Sequence, residues 1–251
     1  MSKLLRSPVA AILLLCAAAM LRPAAAAGTA EFTPEQRQAI EAIVRDYLTK
    51  NPDVLLDALQ AAEDKMKSDA REKAAKTLAE RRRDIFDDPN TPSGGNPRGD
   101  VALVEFFDYR CPYCKQVEPA LESLLAEDKG LRFVYKELPV LGRESMVAAR
   151  AALAARKQGK YAAFHTAMMG AKGQIGDDTV YRVAGSVGLD VERLKRDMAT
   201  PDVERDLSAN LALADALDIH GTPAFVIGEQ VIPGAVDLAS LKEMIADARK
   251  K

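Results

Sequence analysis

The chain has 251 residues, with 35 basic and 37 acidic side chains and a formal charge of −2. That near balance gives no support for a nucleic-acid partner. With 48% apolar residues there is material for a real core, in one large domain or two small ones.

Lys3 and Arg6 precede an apolar run from Val9 to Leu21, followed by Arg22, Pro23 and the small residues 24–28. This is the pattern of a signal peptide, residues 1–27, cleaved after Ala26 or Ala27. The run is short of the roughly 18–20 residues needed to span a bilayer. Lipidation of Cys16 is disfavoured by Leu14 and Leu15, which stand where small residues are expected. Removal of the segment takes Lys3, Arg6 and Arg22, leaving 32 basic against 37 acidic side chains, a charge of −5. It also takes Cys16, so the exported chain keeps only Cys111 and Cys114. A single pair does not staple a secreted domain, and chemistry is the better use for it. The expected compartment is the periplasm.

Residues 28–88 read as a helical arm. Thr33-Pro34-Glu35-Gln36 supplies a cap, a first-position proline and an early acid. Ile40, Ile43, Val44 and Tyr47 follow at helical spacing, and Asn51-Pro52 ends one helix and begins another. Leu55, Leu56, Leu59, Ala62 and Met66 form the second stripe, which continues as Ala70, Ala74 and Leu78. So narrow a stripe buries little against its own domain and gains by packing on a copy of itself. The arm is therefore expected to build a homo-oligomer, dimer or trimer; a helix lying on its own domain is the alternative. Arg81-Arg82-Arg83 reads as a solvated helix end.

Residues 89–98 are dense in Pro, Gly and Asn and read as a linker, opening a domain at 99–251. Residues 101–108 form an apolar run that predicts a buried strand, with Glu105 inside it. Residues 131–136 predict the next strand, and the helical stretch between them implies a parallel pair. Helices then dominate residues 142–218. His165, alone among Ala and Phe, reads as packing or surface. Residues 224–227 and 231–232 form a hairpin, and residues 236–248 a closing helix. Pro223 cannot donate to a ladder, so it belongs at a strand start or edge. A cis bond before it would expose backbone groups to an extended substrate chain.

Cys111-Pro112-Tyr113-Cys114 lies where the first strand gives way to a helix. Unpaired N–H groups and the helix dipole there favour an anion, so Cys111 is expected to react as a thiolate. Cys114, one turn on, is placed to close a Cys111–Cys114 disulfide or to resolve a mixed one. A zinc half-site and an inert disulfide are the other uses. A zinc site needs four ligands, and only His165 and His220 could help.

Glu105-Phe106-Phe107-Asp108-Tyr109-Arg110-Cys111-Pro112-Tyr113-Cys114, with Gly221-Thr222-Pro223-Ala224-Phe225 far downstream, resembles the DsbA-like thioredoxin-fold oxidoreductases. The resemblance covers residues 99–249. It implies an α/β thioredoxin fold with an inserted helical domain. It further implies Pro223 as the cis-proline facing the disulfide, Glu105 as a buried acid that relays a proton, and Lys136 as a possible partner for Glu105. Thr222, Pro112 and Tyr113 would line the substrate. Tyr113 is neutral where the strongly oxidising enzyme has His, which implies a milder oxidant. Thr222 before the proline is similar to periplasmic isomerases and to ScsC-like proteins, which also carry an N-terminal oligomerisation arm. The expected activity is thiol–disulfide exchange on secreted proteins, as isomerase or reductase, with a dithiol oxidase as alternative. It needs no cofactor and no metal, but a membrane redox partner must recycle the dithiol. A chaperone, or a Cu(I) carrier using both thiolates, is the rival from another class.

Overall fold

A computed structural model describes residues 32–250; the signal-peptide reading and Cys16 lie outside them. The described residues divide into two compact units, with the boundary between Asp64 and Lys65.

In the first unit, helix α1 (Pro34–Lys50) starts with a capping box. Thr33 Oγ1 accepts from the Gln36 amide at 3.3 Å, and Gln36 Oε1 accepts from the Thr33 amide at 2.9 Å. Asn51 ends α1, and Pro52 opens helix α2 (Pro52–Glu80), which runs on into the second unit. No residue of α1 is buried, and Ile43 and Leu56 remain 68% and 62% exposed. Both helices thus present apolar side chains that their own unit does not cover. Among the described residues, no helix is long and apolar enough to cross a membrane.

The second unit adds α3 (Arg82–Phe86), then β1 (Ser93–Gly95), β2 (Val101–Phe107), α4 (Pro112–Glu127) and β3 (Leu131–Glu137). Five helices follow: α5 (Arg143–Arg156), α6 (Tyr161–Met169), α7 (Asp177–Ser186), α8 (Val191–Met198) and α9 (Pro201–Ala216). The chain then returns through β4 (Ala224–Ile227), β5 (Gln230–Pro233) and α10 (Leu238–Ala248). The strand order is β1-β3-β2-β4-β5. β2 and β3 run parallel, as a strand–helix–strand crossover demands, and the other neighbours are antiparallel.

Side chains alternate across β2, so its two faces enter two cores. Leu103 and Phe107 face the core shared with α4 to α8 and α10; Val104 and Phe106 face Ile85, Phe86, Leu213 and Leu217. The strand is buried on both sides, which is why it reads as a continuous apolar run. Each fully buried Phe contributes about 1.5–3 kcal/mol. The six buried alanines of α5 let its neighbours approach closely.

The breaker-rich stretch before β2 does more than link. Ser93 to Gly95 pair with Val134, Phe133 and Arg132 as an edge strand. Glycine makes this fit: a Cβ on Gly94 would lie 2.9 Å from the Tyr135 hydroxyl, and Gly95 has φ +69°. Three residues with two glycines carry no apolar alternation, so the sequence gives no strand signal there.

Candidate active site

Cys111 is the N-cap of α4 and Pro112 its first residue, where a missing N–H is harmless. The Cys111 amide donates to the Asp108 carbonyl at 3.0 Å, and its carbonyl accepts from the Lys115 amide at 3.2 Å. The buried Asp108 carboxylate fixes the approach: Oδ1 accepts from the Arg110 amide at 2.8 Å and Oδ2 from the Leu141 amide at 3.0 Å. Arg110 also pairs with Glu144 at 3.0 Å. Lys115 locks the other side of the helix start. Its ammonium donates to the carbonyls of Met168, Met169 and Ala171, each at 2.9 Å. These capping contacts satisfy the C-terminal carbonyls of α6.

Both cysteines are free thiols with little exposed surface, whereas Tyr113 between them is 59% exposed. Cys111 Sγ donates to the Thr222 carbonyl at 3.1 Å. The Thr222–Pro223 peptide bond is cis, and Pro223 immediately precedes β4. Cys111, Thr222 and Pro223 are therefore brought together, with Pro112 and Tyr113 at the rim. Beside this loop opens a groove of about 890 Å³. One wall is Thr222, Pro223, Val231 and Pro233; the facing wall is the alanine stripe of α2, Ala70 and Ala74.

Beneath the sulfurs lies Glu105, fully buried, with no protein partner for either carboxyl oxygen. Burial pushes its carboxyl well up, and the charges of Glu118, Cys111 and Glu137 add to this. The Cys114 thiol is also pushed up, first by burial and then by the charge of Glu105. An unpaired buried carboxylate costs several kcal/mol, so Glu105 is held as the neutral acid.

Lys136 is not its partner. Glu105 pairs in register with Tyr135, and Lys136 with Phe106, on the opposite face of the sheet. There its ammonium donates to the Asp84 carbonyl at 2.8 Å and to Thr91 Oγ1 at 2.7 Å. Burial lowers Lys136 to about 8. One residue of strand register separates the resemblance's expectation from the geometry.

The face that holds Glu105 contains a polar cluster that the sequence reading passed over. Glu137 Oε1 accepts from the hydroxyls of Tyr161 and Tyr109, at 2.7 and 3.1 Å. The Tyr109 hydroxyl also meets Nδ1 of His165 at 3.1 Å, and His165 is buried. Nε2 of His165 lies 3.5 Å from Oε1 of Glu118, one turn beyond Cys114 on α4. Acids within buried strands and an acid four residues after Cys114 were the available signals.

Comparison with known proteins agrees with this architecture. Residues 102–246 match the DSBA-like thioredoxin domain, and residues 36–67 match the copper resistance protein ScsC N-terminal domain. A thioredoxin-like oxidoreductase from Silicibacter pomeroyi is 48% identical, covering 68% of this chain and 98% of its own, with a TM-score of 0.67. Proteus mirabilis ScsC in a transitional conformation is 30% identical, covering 87% of this chain and 99% of its own, with a TM-score of 0.64. A Na(+)/H(+) antiporter, NhaA 3 of Salinispora tropica, is 28% identical over 64% of this chain. The chain spans about a quarter (25%) of the length of that relative. The chain belongs to the DsbA-like family of thioredoxin-fold thiol–disulfide oxidoreductases, and its N-terminal helices match the N-terminal domain of ScsC.

Proposed function

We propose that this protein performs thiol–disulfide exchange on exported polypeptides in the periplasm, as a disulfide isomerase or reductase working through Cys111 and Cys114. The observation that carries the reading is the placement of Cys111 Sγ at a helix N-terminus and 3.1 Å from the Thr222 carbonyl. The Cys111 thiolate attacks one sulfur of a substrate disulfide. A Cys111–substrate S–S bond forms, the substrate bond breaks, and the departing sulfur leaves with its electron pair as a thiolate. A second substrate thiol then displaces Cys111, giving a new pairing. Alternatively Cys114 displaces the substrate, giving a reduced substrate and the Cys111–Cys114 disulfide. A membrane redox partner returns that disulfide to the dithiol.

Substrate enters as an extended chain along the groove beside Pro223, over Pro112 and Tyr113. The uncovered apolar side chains of α1 and the first half of α2 support a homo-oligomer, which holds several reactive sites around one misfolded substrate. A dithiol oxidase is the second reading, favoured by the DsbA-type catalytic domain itself. The resting state in the periplasm separates the two, since an isomerase rests as the dithiol and an oxidase as the disulfide.

Scrambled ribonuclease in a reducing buffer is the direct assay. The wild type restores activity; Cys111→Ser does not; Cys114→Ala accumulates as mixed disulfides on Cys111. A wild type that restores nothing, or a Cys111→Ser variant that restores as much, overturns the reading.

A further inference from the structure

His165 has no part in the exchange described above, yet it sits in the buried cluster below the sulfurs. The groups that face it come from every surrounding element. Tyr109 follows β2, which also carries Glu105; Glu118 is on α4; Tyr135 is on β3, as is Glu137, which is joined to His165 through Tyr109; Tyr161 is on its own helix, α6. The rings of Phe107 and Tyr135 lie with their centroids 4.8 and 4.6 Å from its own.

Counting protons fixes the tautomer. A tyrosine hydroxyl has one proton to give, and that of Tyr109 goes to Glu137. Its oxygen is then the acceptor for His165 Nδ1–H. Nε2 is left, in the neutral ring, with a bare lone pair directed at the Glu118 carboxylate. It has no hydrogen-bond partner although it is enclosed. Two lone pairs facing each other across 3.5 Å repel, and one added proton turns that repulsion into a charge-assisted bond. Glu118 keeps 13% of its side chain exposed, so it can close the gap by rotation and exchange with solvent.

We propose that His165 and Glu118 together hold one exchangeable proton beneath Cys114, and that this pair, reached through Glu105, sets the pH dependence of the resolving step. In that step the Cys114 sulfur attacks Cys111 of a mixed disulfide. The Cys111–Cys114 bond forms, the substrate bond breaks, and substrate leaves as a thiolate. The proton of Cys114 passes to one oxygen of Glu105, which releases its own from the other. Both oxygens lack protein partners. The released proton comes to rest between Nε2 and Oε1, and Glu118 passes it outward. Burial and then the charge of Glu118 are the two largest influences raising Glu105. His165 and Glu118 are positioning residues: neither touches substrate.

The inference rests on the assignment of Cys111 as attacking sulfur, and one experiment separates the two. The reduced full-length protein is mixed with dithiodipyridine, and thiopyridone release is followed between about pH 5 and pH 9. The first equivalent reports attack by Cys111, the second displacement by Cys114. For His165→Phe and for Glu118→Gln the second phase is expected to move about one unit to higher pH. That is about tenfold slower at low pH, converging on wild type at the alkaline end. The first phase stays as in wild type, and the double variant is no slower than either single one. A second phase that matches wild type, or that is slowed equally at every pH, overturns the proposal. A wild type with no first phase overturns the Cys111 assignment and the proposal with it. If His165→Phe does not fold, Glu118→Gln decides alone, since Glu118 lies at the edge of the core.

Discussion

Cys111 Sγ and the Thr222 carbonyl oxygen, 111 positions apart in the chain, lie 3.1 Å apart in space. One contact thus joins the start of α4 to the turn that enters β4. Serine at position 111 keeps a donor for the same carbonyl but loses the sulfur proposed as the nucleophile. Cys111→Ser is expected to cut exchange at least about a thousandfold while changing stability by no more than about 1 kcal/mol. Urea unfolding beside the ribonuclease assay checks both halves.

Glu105 makes stability fall as pH rises. Its carboxyl is raised by burial, so the folded state keeps a proton that the unfolded chain loses above about pH 4.5. Between that value and the raised one, the unfolded state binds fewer protons, and unfolding is favoured by up to about 1.4 kcal/mol per pH unit. Glu105→Gln has nothing to titrate. Its stability relative to wild type is expected to stay flat below about pH 4.5 and to grow steadily above it. Denaturation midpoints from acid to neutral pH measure this, and a constant difference would contradict it.

Lys136 gives the opposite sign in a different window. Burial holds it at about 8 against an ordinary 10.5, so between those values the unfolded chain binds the extra proton. Wild type is expected to gain on Lys136→Met across that range, by at most about 1.4 kcal/mol per unit. Below it the variant leaves the Asp84 carbonyl and the Thr91 hydroxyl without their donor, a loss of about 1–3 kcal/mol each that is offset by no longer burying a charge. Because Lys136 faces away from Glu105, the thiopyridone pH profile of this variant is expected to match wild type.

The arm is tested by a cut placed where the contacts divide. Leu78, Ile85 and Phe86 are buried in the second unit, so removing the arm as far as residue 85 would open that core. Deleting only residues 28–64 leaves it intact. Light scattering is expected to show the mass of one catalytic unit for the truncated protein and of two or three chains for the full one. An unchanged number of chains per particle would remove the oligomer.

Much of this was legible because it is written locally. The strand–helix junction at Cys111, the helices of the insertion and the proline-led entry to β4 each declare themselves in consecutive residues. What was missed is tertiary. The edge strand at Gly94 has no side-chain pattern, only a backbone that tolerates Tyr135 close by. Lys136, which the resemblance implied as a possible partner for Glu105, lies on the opposite face, because a resemblance fixes a strand more securely than its register. His165 looked like filler because three of the groups around it, Tyr109, Glu118 and Tyr135, reach it from distant parts of the chain.

The grip of Lys115 on the end of α6 has one more implication. Three carbonyls converge on a single ammonium, so the first turn of the reactive helix and the near edge of the inserted lobe are tethered as one rigid piece. Any movement of the lobe relative to the sheet must therefore bend at its far connections, leaving the sulfurs and the α6 terminus to travel together.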